Sequence, residues 1–207
     1  MRGSLLFLLP SRRLFLGLGV ALPLLAACSG SGSSDAVDAA NNQNKTKIGT
    51  ADVTAKQEAD AIFLVKATSN ALLEVELGKL AQARASTPTV RTYGARLAQN
   101  RLELLAALRT LAEAKKLAVP PALGGDEQAA YHEVSTQTGT ELDKRLIKLI
   151  VKTQKQDENA FDDMSDDAYD GDIRGFAAKN LRPVQEELAG AKEVADAVAD
   201  LPSHSLE

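Results

Sequence analysis

The sequence predicts an all-α protein, specifically an antiparallel four-helix bundle with a short extra helix between its second and third long helices. From about residue 53 onward, apolar residues recur every three or four positions, which is the spacing of one helix face. No segment there shows the strict alternation of apolar and polar residues that a half-buried strand requires. Short Pro- or Gly-containing breaks separate the long helices, and short connections place successive helices antiparallel.

The first long helix is predicted from about Val53 to Ser86, and the second from Pro88 to about Leu117. Thr87 is a good N-cap, and proline suits the first helical position because its missing N–H is not needed there. On a helical wheel the first helix places five large apolar residues on one inward stripe: Ile62, Val65, Leu73, Leu77 and Leu80.

The second half of the chain contains the short helix and two further long helices. The short helix is predicted from about Asp126 to Ser135, the third long helix from about Glu141 to Tyr169, and the fourth from Asp172, as its cap, to about Val198. Pro183 lies inside the fourth helix and predicts a kink or break near Asn180.

Residues 1–27 have the pattern of a signal peptide. A paired arginine is followed by an apolar run from Leu14 to Ala27 that ends in small residues. The run is too short to span a bilayer comfortably, which is typical of a cleaved leader.

Cys28 is predicted to be the lipid-bearing first residue of the mature protein. The preceding Leu25, Ala26 and Ala27 resemble the lipobox of bacterial lipoproteins, in which a diacylglyceryl group is attached to the Cys thiol. The alternative is an ordinary cleavage site that happens to precede a cysteine. Cys28 is the only cysteine and a Ser/Gly-rich stretch follows it, so the sequence favours lipidation, anchoring in the bacterial cell envelope and exposure to the periplasm.

Arg12 and Arg13 leave two export routes open. Together with Ser11 and Leu14-Phe15-Leu16 they resemble the twin-arginine motif, which directs folded proteins. An apolar segment upstream of the arginines is unusual for that motif, so the alternative is that they form the basic flank of a general secretory signal. A true first residue other than Met1 would also explain the upstream segment.

The rest of the chain divides into a tether, a domain and a tail. Residues 28–50 are small and polar after the cysteine and predict a flexible spacer, since they cannot bury enough surface to offset their ordering entropy. Residues 51–200 are predicted to form the helical domain, and residues 201–207 a C-terminal tail.

The charge pattern excludes some partners. The formal net charge is −4, and the leader carries three arginines and no acid, so the mature chain has a net charge of −7. Its basic residues are interleaved with acidic ones along the sequence, which argues against nucleic acid and against adsorption of the folded domain to anionic lipid. A single cysteine cannot form an intramolecular disulfide.

Three motifs resemble a widespread bacterial family named only as a domain of unknown function. They are Phe63-Leu-Val-Lys-Ala67, Glu74-Val-Glu-Leu-Gly-Lys-Leu-Ala81 and Thr87-Pro-Thr-Val90. The resemblance covers about Ala59 to Val198. It implies an exported protein, often a lipoprotein, with a ferritin-like four-helix bundle.

The chain departs from this family at its histidines. The family usually carries an Asp-His pair in each of the second and third long helices and a single His in the fourth. In this chain the two pairs align with Gln99-Asn100 and Thr153-Gln154, and the single His aligns with Glu187. The only histidines present are His132 and His204. Asn and Gln are weak metal ligands, so we predict no metal, cofactor or catalytic residue.

Three charged residues are predicted to lie on inward stripes: Glu76, Arg101 and Glu187. One interpretation is a small acidic pocket for a cation or for acid–base chemistry, because neighbouring buried carboxylates shift one another's pKa. The other is a structural ion-pair network, which is the commoner arrangement and the one we favour. The acidic residues from Asp157 to Asp167 are predicted to form a solvated face.

Two functions therefore remain open. The first is a non-enzymatic, membrane-anchored binding or structural module with an unknown envelope partner. The second is a ferritin-like metal-binding or oxidoreductase domain, which rests on fold analogy alone.

Overall fold

The structure, a computed structural model, describes residues 34–49 and 54–202, with side chains from residues 36 and 55 onward. These ranges form helices without any strand, which confirms the all-α prediction: α1 (Ser34–Ile48), α2 (Thr54–Arg84), α3 (Pro88–Ala114), α4 (Gly125–Ser135), α5 (Gly139–Asp167) and α6 (Gly171–Ala199). The signal peptide, Arg12, Arg13, the Leu25–Ala27 segment, Cys28 and His204 lie outside the described residues.

The four long helices form two hairpins, α2–α3 and α5–α6, each closed by a connection of three residues. The hairpins pack with α2 against α5 and α3 against α6. The Thr87 side chain caps α3 by accepting from the Val90 N–H, as predicted. The predicted cap of the fourth long helix is wrong by two residues: Asp170, and not Asp172, accepts from the first amides of α6.

A buried aspartate from each hairpin holds the connection of the other. Asp143 on α5 accepts from the Ser86 and Thr87 N–H groups, each at 2.8 Å, and from the Ser86 hydroxyl. Asp60 on α2 accepts from the Tyr169 and Asp170 N–H groups at 3.0 and 2.8 Å. Both carboxylates are buried, so each satisfies backbone donors that would otherwise lack partners at a helix junction.

These contacts reveal that the second hairpin repeats the first with a constant offset of 83 residues. The offset relates Asp60 to Asp143 and their acceptor contacts to one another. It also relates two arginines that donate to the end of the preceding helix: Arg91 Nη1 to Ala85 O at 2.7 Å, and Arg174 Nη1 to Ala168 O at 2.9 Å. The two hairpins therefore use the same local solutions at their turns.

Two glycines set the close approach of α2 and α3. A Cβ at Gly78 would lie 2.7 Å from Gly94 O, and a Cβ at Gly94 would lie 2.3 Å from the Cβ of Ala81. Any larger residue at either position would force the helices apart. The two backbones thus meet directly at the level of the Glu-Leu-Gly segment in α2.

Residues 34–48 correct the prediction of a flexible spacer. They form α1, which packs against α2 and α4 and buries Ala40, Asn44 and Ile48. The Asn44 side chain donates to Ala118 O at 2.8 Å and accepts from Ala118 N at 2.7 Å. The predicted spacer is wrong over this stretch because its polar residues bond to backbone groups of the bundle instead of to water.

The turn after α3 is the place where α1 makes its polar contacts. Lys116 has a φ of 56°, a left-handed conformation that an L-residue adopts at a cost. The Leu117 N–H then donates to Ala112 O at 2.8 Å, which is the bond of a helix C-terminal motif that usually contains glycine. Lys47 of α1 donates to the carbonyls of Lys115 and Lys116 at 3.0 and 2.6 Å, so α1 helps to hold this turn.

Two other expectations about the helices need correction. Ile62, which the helical wheel predicts to lie on the inward stripe of the first long helix, is 46% exposed. Helix α2 contacts α1, α3, α4 and α5 and is therefore buried on most sides, so no single stripe describes it. Helix α6 continues through Pro183 from Gly171 to Ala199, so of the kink or break predicted near Asn180 the break is wrong.

None of the helices in the described ranges is long and apolar enough to cross a bilayer.

Candidate functional site

A charged layer divides the apolar core into two halves. One apolar cluster includes Leu77, Leu97, Leu146 and Ala191, and the other includes Leu64, Leu108, Phe161 and Ile173. Between them each long helix contributes one charged side chain, namely Glu74 from α2, Arg101 from α3, Asp157 from α5 and Glu187 from α6. We call these four residues the charge cluster.

Arg101 lies at the centre of the charge cluster. Its side chain is only 1% exposed, and it contacts all three carboxylates with different nitrogens. Nε pairs with Glu74 Oε2, Nη2 lies 2.7 Å from Glu187 Oε2, and Nη1 lies 3.6 Å from Asp157 Oδ2. A planar guanidinium has donors pointing in several directions, so it can serve three acceptors at once.

Amide side chains support the outer edges of the cluster. Asn70 on α2 donates to Asp157 Oδ1 at 2.6 Å, and Asn100 on α3 donates to Glu187 Oε1 at 2.7 Å. Buried Gln154 donates to the hydroxyl of Tyr93 at 3.1 Å. The bonds from Asn70 and Asn100 orient the two carboxylates, because each amide binds the carboxylate oxygen that does not pair with Arg101.

The cluster contains three carboxylates and only one guanidinium. Burial raises the pKa of Glu74 well above its ordinary value, and the charges of Asp157 and Glu187 raise it further, although Arg101 opposes them. Burial also raises the pKa of Asp157 to about 6, against the opposing effects of Arg101 and of the Asn70 hydrogen bond. Glu74 and Asp157 therefore hold protons more tightly than exposed carboxylates do.

The other titratable groups respond to the same excess of negative charge. Burial lowers the pKa of Arg101, but the fields of Glu74, Glu187 and Asp157 outweigh it and raise that pKa overall. Burial raises the pKa of the Tyr93 phenol above its ordinary value. Arg101 thus stays charged and Tyr93 stays neutral at physiological pH.

Glu187 connects the cluster to solvent. Its side chain is 19% exposed and borders a pocket of about 270 Å³ between α3 and α6, which also reaches Arg101. Asn100, Asn180 and Pro183 form part of the pocket wall. The remaining members of the cluster are shielded by the two apolar halves of the core.

The structure brings together two of the three residues that the sequence placed in the core. Arg101 and Glu187 pair as expected. Glu76 does not join them: its side chain is 40% exposed and pairs with Lys79 on the surface at 2.7 Å. Glu74, two residues earlier, takes that place.

The sequence does not predict two members of the charge cluster, Glu74 and Asp157. Glu74 lies seven residues from each of two small buried residues, Ala67 and Ala81, whereas the inward stripe predicted from the sequence follows the large side chains. The assignment of Asp157 to a solvated face is wrong because the residue lies between buried Gln154 and Phe161 on α5. Spacing from these flanking residues was the available signal.

The positions aligned with the family's histidines all lie in or beside this layer. Asn100 bonds to Glu187, and Gln154 is fully buried against Tyr93. His132 is far from them in sequence and exposed on α4. In residues 34–49 and 54–202, no group of three or more His, Cys, Asp or Glu side chains is arranged to hold a metal ion.

The sequence profile of a protein family, Domain of unknown function (DUF4142), matches residues 45–194. The chain belongs to this family. The match begins inside α1 and ends near the end of α6, so it covers both hairpins and the charge cluster. No curated protein and no solved structure matches the chain.

Proposed function

We propose that this DUF4142 protein is a lipid-anchored protein of the bacterial cell envelope whose helical domain is a non-enzymatic binding or structural module facing the periplasm. The observation that carries the proposal is the position of Arg101. Its guanidinium occupies the point where carboxylates from three helices converge, so the charged layer is bound by the protein's own cation. A layer of this kind specifies how four helices pack.

The lipid anchor is supported by the sequence around Cys28. Leu25-Ala26-Ala27-Cys28 ends the apolar run of the leader, and no other cysteine is present to take a different role. Metabolic labelling with a palmitate analogue should tag the wild-type protein and leave Cys28→Ser unlabelled. Equal labelling of the two proteins would exclude the anchor.

The export route has its own test. If Arg12 and Arg13 direct twin-arginine export, changing both to Lys should leave folded precursor in the cytoplasm. Normal processing of that double variant would show that the general secretory route is used.

We further propose a ferritin-like arrangement of the four long helices. Support comes from the connection between the hairpins: α3 ends beside the start of α6, where Lys115 pairs with Asp170, whereas α5 begins at the opposite end, where Asp143 holds the α2–α3 turn. The connection therefore crosses the length of the bundle, as one long crossover does in ferritin-like folds.

The alternative, a metal-binding or oxidoreductase domain, does not fit the donor set. A ferritin-type pair of metals needs carboxylates and two Glu-x-x-His motifs facing the centre. In the charge cluster the carboxylates are bonded to Arg101, and the positions aligned with histidines carry Asn, Gln and Glu.

Metal analysis of the purified mature protein separates the two functions. We expect iron, zinc and manganese far below one ion per chain, and a melting temperature that a chelator leaves unchanged, because nothing bound selectively to the native state would be removed. Stoichiometric metal with a chelator-sensitive melting temperature would refute the module and support the alternative.

A further inference from the structure

The outward side of α5 carries an uneven concentration of positive charge. Lys144, Arg145, Lys148 and Lys152 lie within nine residues and line a groove of about 680 Å³ between α4 and α5. We call these four residues the basic face. The sequence alone does not show this concentration, because the basic residues alternate with acidic ones such as Glu141 and Asp143. In the folded protein these acidic side chains make contacts of their own.

The acidic side chains that line the groove between α4 and α5, and Asp143 beside Lys144, are already engaged. Glu141 and Glu133 both pair with Arg145, and Asp143 is buried beneath the α2–α3 turn. Lys144 donates to Leu201 O. Exposed Lys148 and Lys152 have no ion-pair partner within the described part of the chain, so their charges are available to an anionic partner.

Apolar surface lies on both sides of these lysines. The groove against α4 has Ala130, Val134 and Leu149 in its lining. A second groove of about 290 Å³, between α5 and α6, is lined by Lys144 and Lys148 together with apolar side chains: Ile147, Val151, Ala195, Val198 and Ala199. Cationic ends above apolar stems and grooves are the pattern of a surface that meets the headgroup region of a membrane.

The start of α1 lies on the same side of the bundle. Helix α4 packs against both α1 and α5. Val37 of α1 is so close to Gly124, the residue before α4, that a Cβ there would lie 2.8 Å from Val37 Cγ2. Six peptide units separate Cys28 from Ser34, and these can span at most about 22 Å.

We propose that the basic face docks on anionic lipid headgroups of the membrane that holds the anchor. The inference rests on the proposed lipid at Cys28, since the short link keeps this side of the domain close to the bilayer. It reverses the expectation, drawn from sequence alone, that the domain does not adsorb to anionic lipid. The domain would then lie against the membrane through α5 instead of standing free of it.

The test uses the mature, lipidated protein in vesicles, so that the anchor is constant and only the contact of the domain varies. Lipidation consumes the Cys28 thiol, and therefore a Gln156→Cys variant can be labelled at one site by an environment-sensitive dye. Gln156 is exposed one turn beyond Lys152. The matched control is Ala106→Cys, exposed on α3, which lies diagonally across the bundle from α5.

In vesicles of phosphatidylcholine and phosphatidylglycerol, nitroxide-headgroup lipid should quench the dye at position 156 but not at position 106. In phosphatidylcholine alone, neither dye should be quenched. Adding Lys148→Gln and Lys152→Gln should lower the ratio of docked to undocked protein about thirtyfold at low salt. The equally charged control, Arg109→Gln with Lys179→Gln, should leave that ratio unchanged.

The proposal would be overturned by equal quenching at both positions, or by quenching at position 156 that is the same with and without phosphatidylglycerol. Absence of quenching at position 156 in the anionic vesicles would also overturn it and would leave the basic face to a protein partner. Failure of the anchor itself is a separate result, because a protein without lipid at Cys28 is recognised by its lack of palmitate label.

Discussion

Replacing Arg101 by Met tests whether the charge cluster is structural. The substitution keeps the length of the side chain and removes the only cation from a layer that contains Glu74, Asp157 and Glu187. Two of these carboxylates are almost completely buried. At neutral pH, we expect the free energy of unfolding to fall by about 3–5 kcal/mol, the usual cost of leaving a buried charge without its partner.

The size of this loss should depend on pH. Without Arg101, which lowers the pKa of both Glu74 and Asp157 in the wild-type protein, the two folded-state pKa values rise further above their unfolded values. Such groups favour the folded state at low pH, and this contribution is lost as the pH rises through the folded-state pKa. Near pH 4.5, about 1–2 kcal/mol should remain, for the lost hydrogen bonds alone.

Urea unfolding of the mature protein, followed by circular dichroism at several pH values, measures this dependence. Arg109→Met, on the exposed side of α3, is the control and should cost no more than about 0.5 kcal/mol. A loss below about 1 kcal/mol at neutral pH, or a loss that grows as the pH falls, would refute the structural role.

A second variant separates lost charge balance from lost packing. Changing all four cluster residues to apolar side chains of similar size, with Met at positions 74, 101 and 187 and Leu at position 157, leaves no charge unpaired. It should therefore destabilise the protein less than Arg101→Met does. A larger loss in the fourfold variant would show that the ion pairs contribute net stability.

Three further predictions concern other parts of the molecule. Between about pH 4 and pH 7, the wild-type protein should lose about 3 kcal/mol more stability than the Asp157→Asn variant loses, because the folded-state pKa of Asp157 is about 6 against 3.8 unfolded. Urea titrations of both proteins measure this. A difference in stability that does not change with pH would contradict the raised pKa. Asn44→Leu should detach α1 and speed amide hydrogen exchange in residues 34–48 while α2 to α6 remain protected; unchanged exchange would contradict the docking. Lys116→Gly should raise the free energy of unfolding by up to about 1 kcal/mol, since Lys116 alone has a positive φ among the described non-glycine residues. A lower stability would show that the contacts of the Lys116 side chain contribute more than the relief of this backbone conformation.

The positions of the long helices could be predicted because their signals are local. Thr87 and Pro88 mark a helix start by their own chemistry, and the short breaks are visible in the sequence. Helix α1 could not be predicted in the same way. Its Asn, Gln and Lys side chains predict a solvated segment. Asn44 and Lys47 stabilise the docked helix only because the folded bundle places the backbone groups of Ala118 and Lys115 within their reach.

The members of the charge cluster were harder to predict because burial on α2 is not confined to one stripe. Glu74 and Glu76 both lie among apolar residues, and choosing between them requires knowing that α3, α4 and α5 all pack on α2. Asp157 belongs by sequence to an acidic run, but its side chain is buried because α2 and α3 pack over it. Wheel arguments fail where a helix has several neighbours.

The repeat of the two hairpins explains why the core needs Arg101. The offset of 83 residues that relates Asp60 to Asp143 also relates Glu74 to Asp157, so packing the hairpins together brings these two acidic positions to the same buried layer. A symmetrical solution would leave two carboxylates facing each other without a cation. The positions equivalent to Arg101 and Glu187 are Val184 and Leu104, so the first hairpin alone supplies the guanidinium and the second alone supplies the outer carboxylate. The charge cluster is therefore the point at which the two similar halves differ, and it gives each hairpin a distinct place in the bundle.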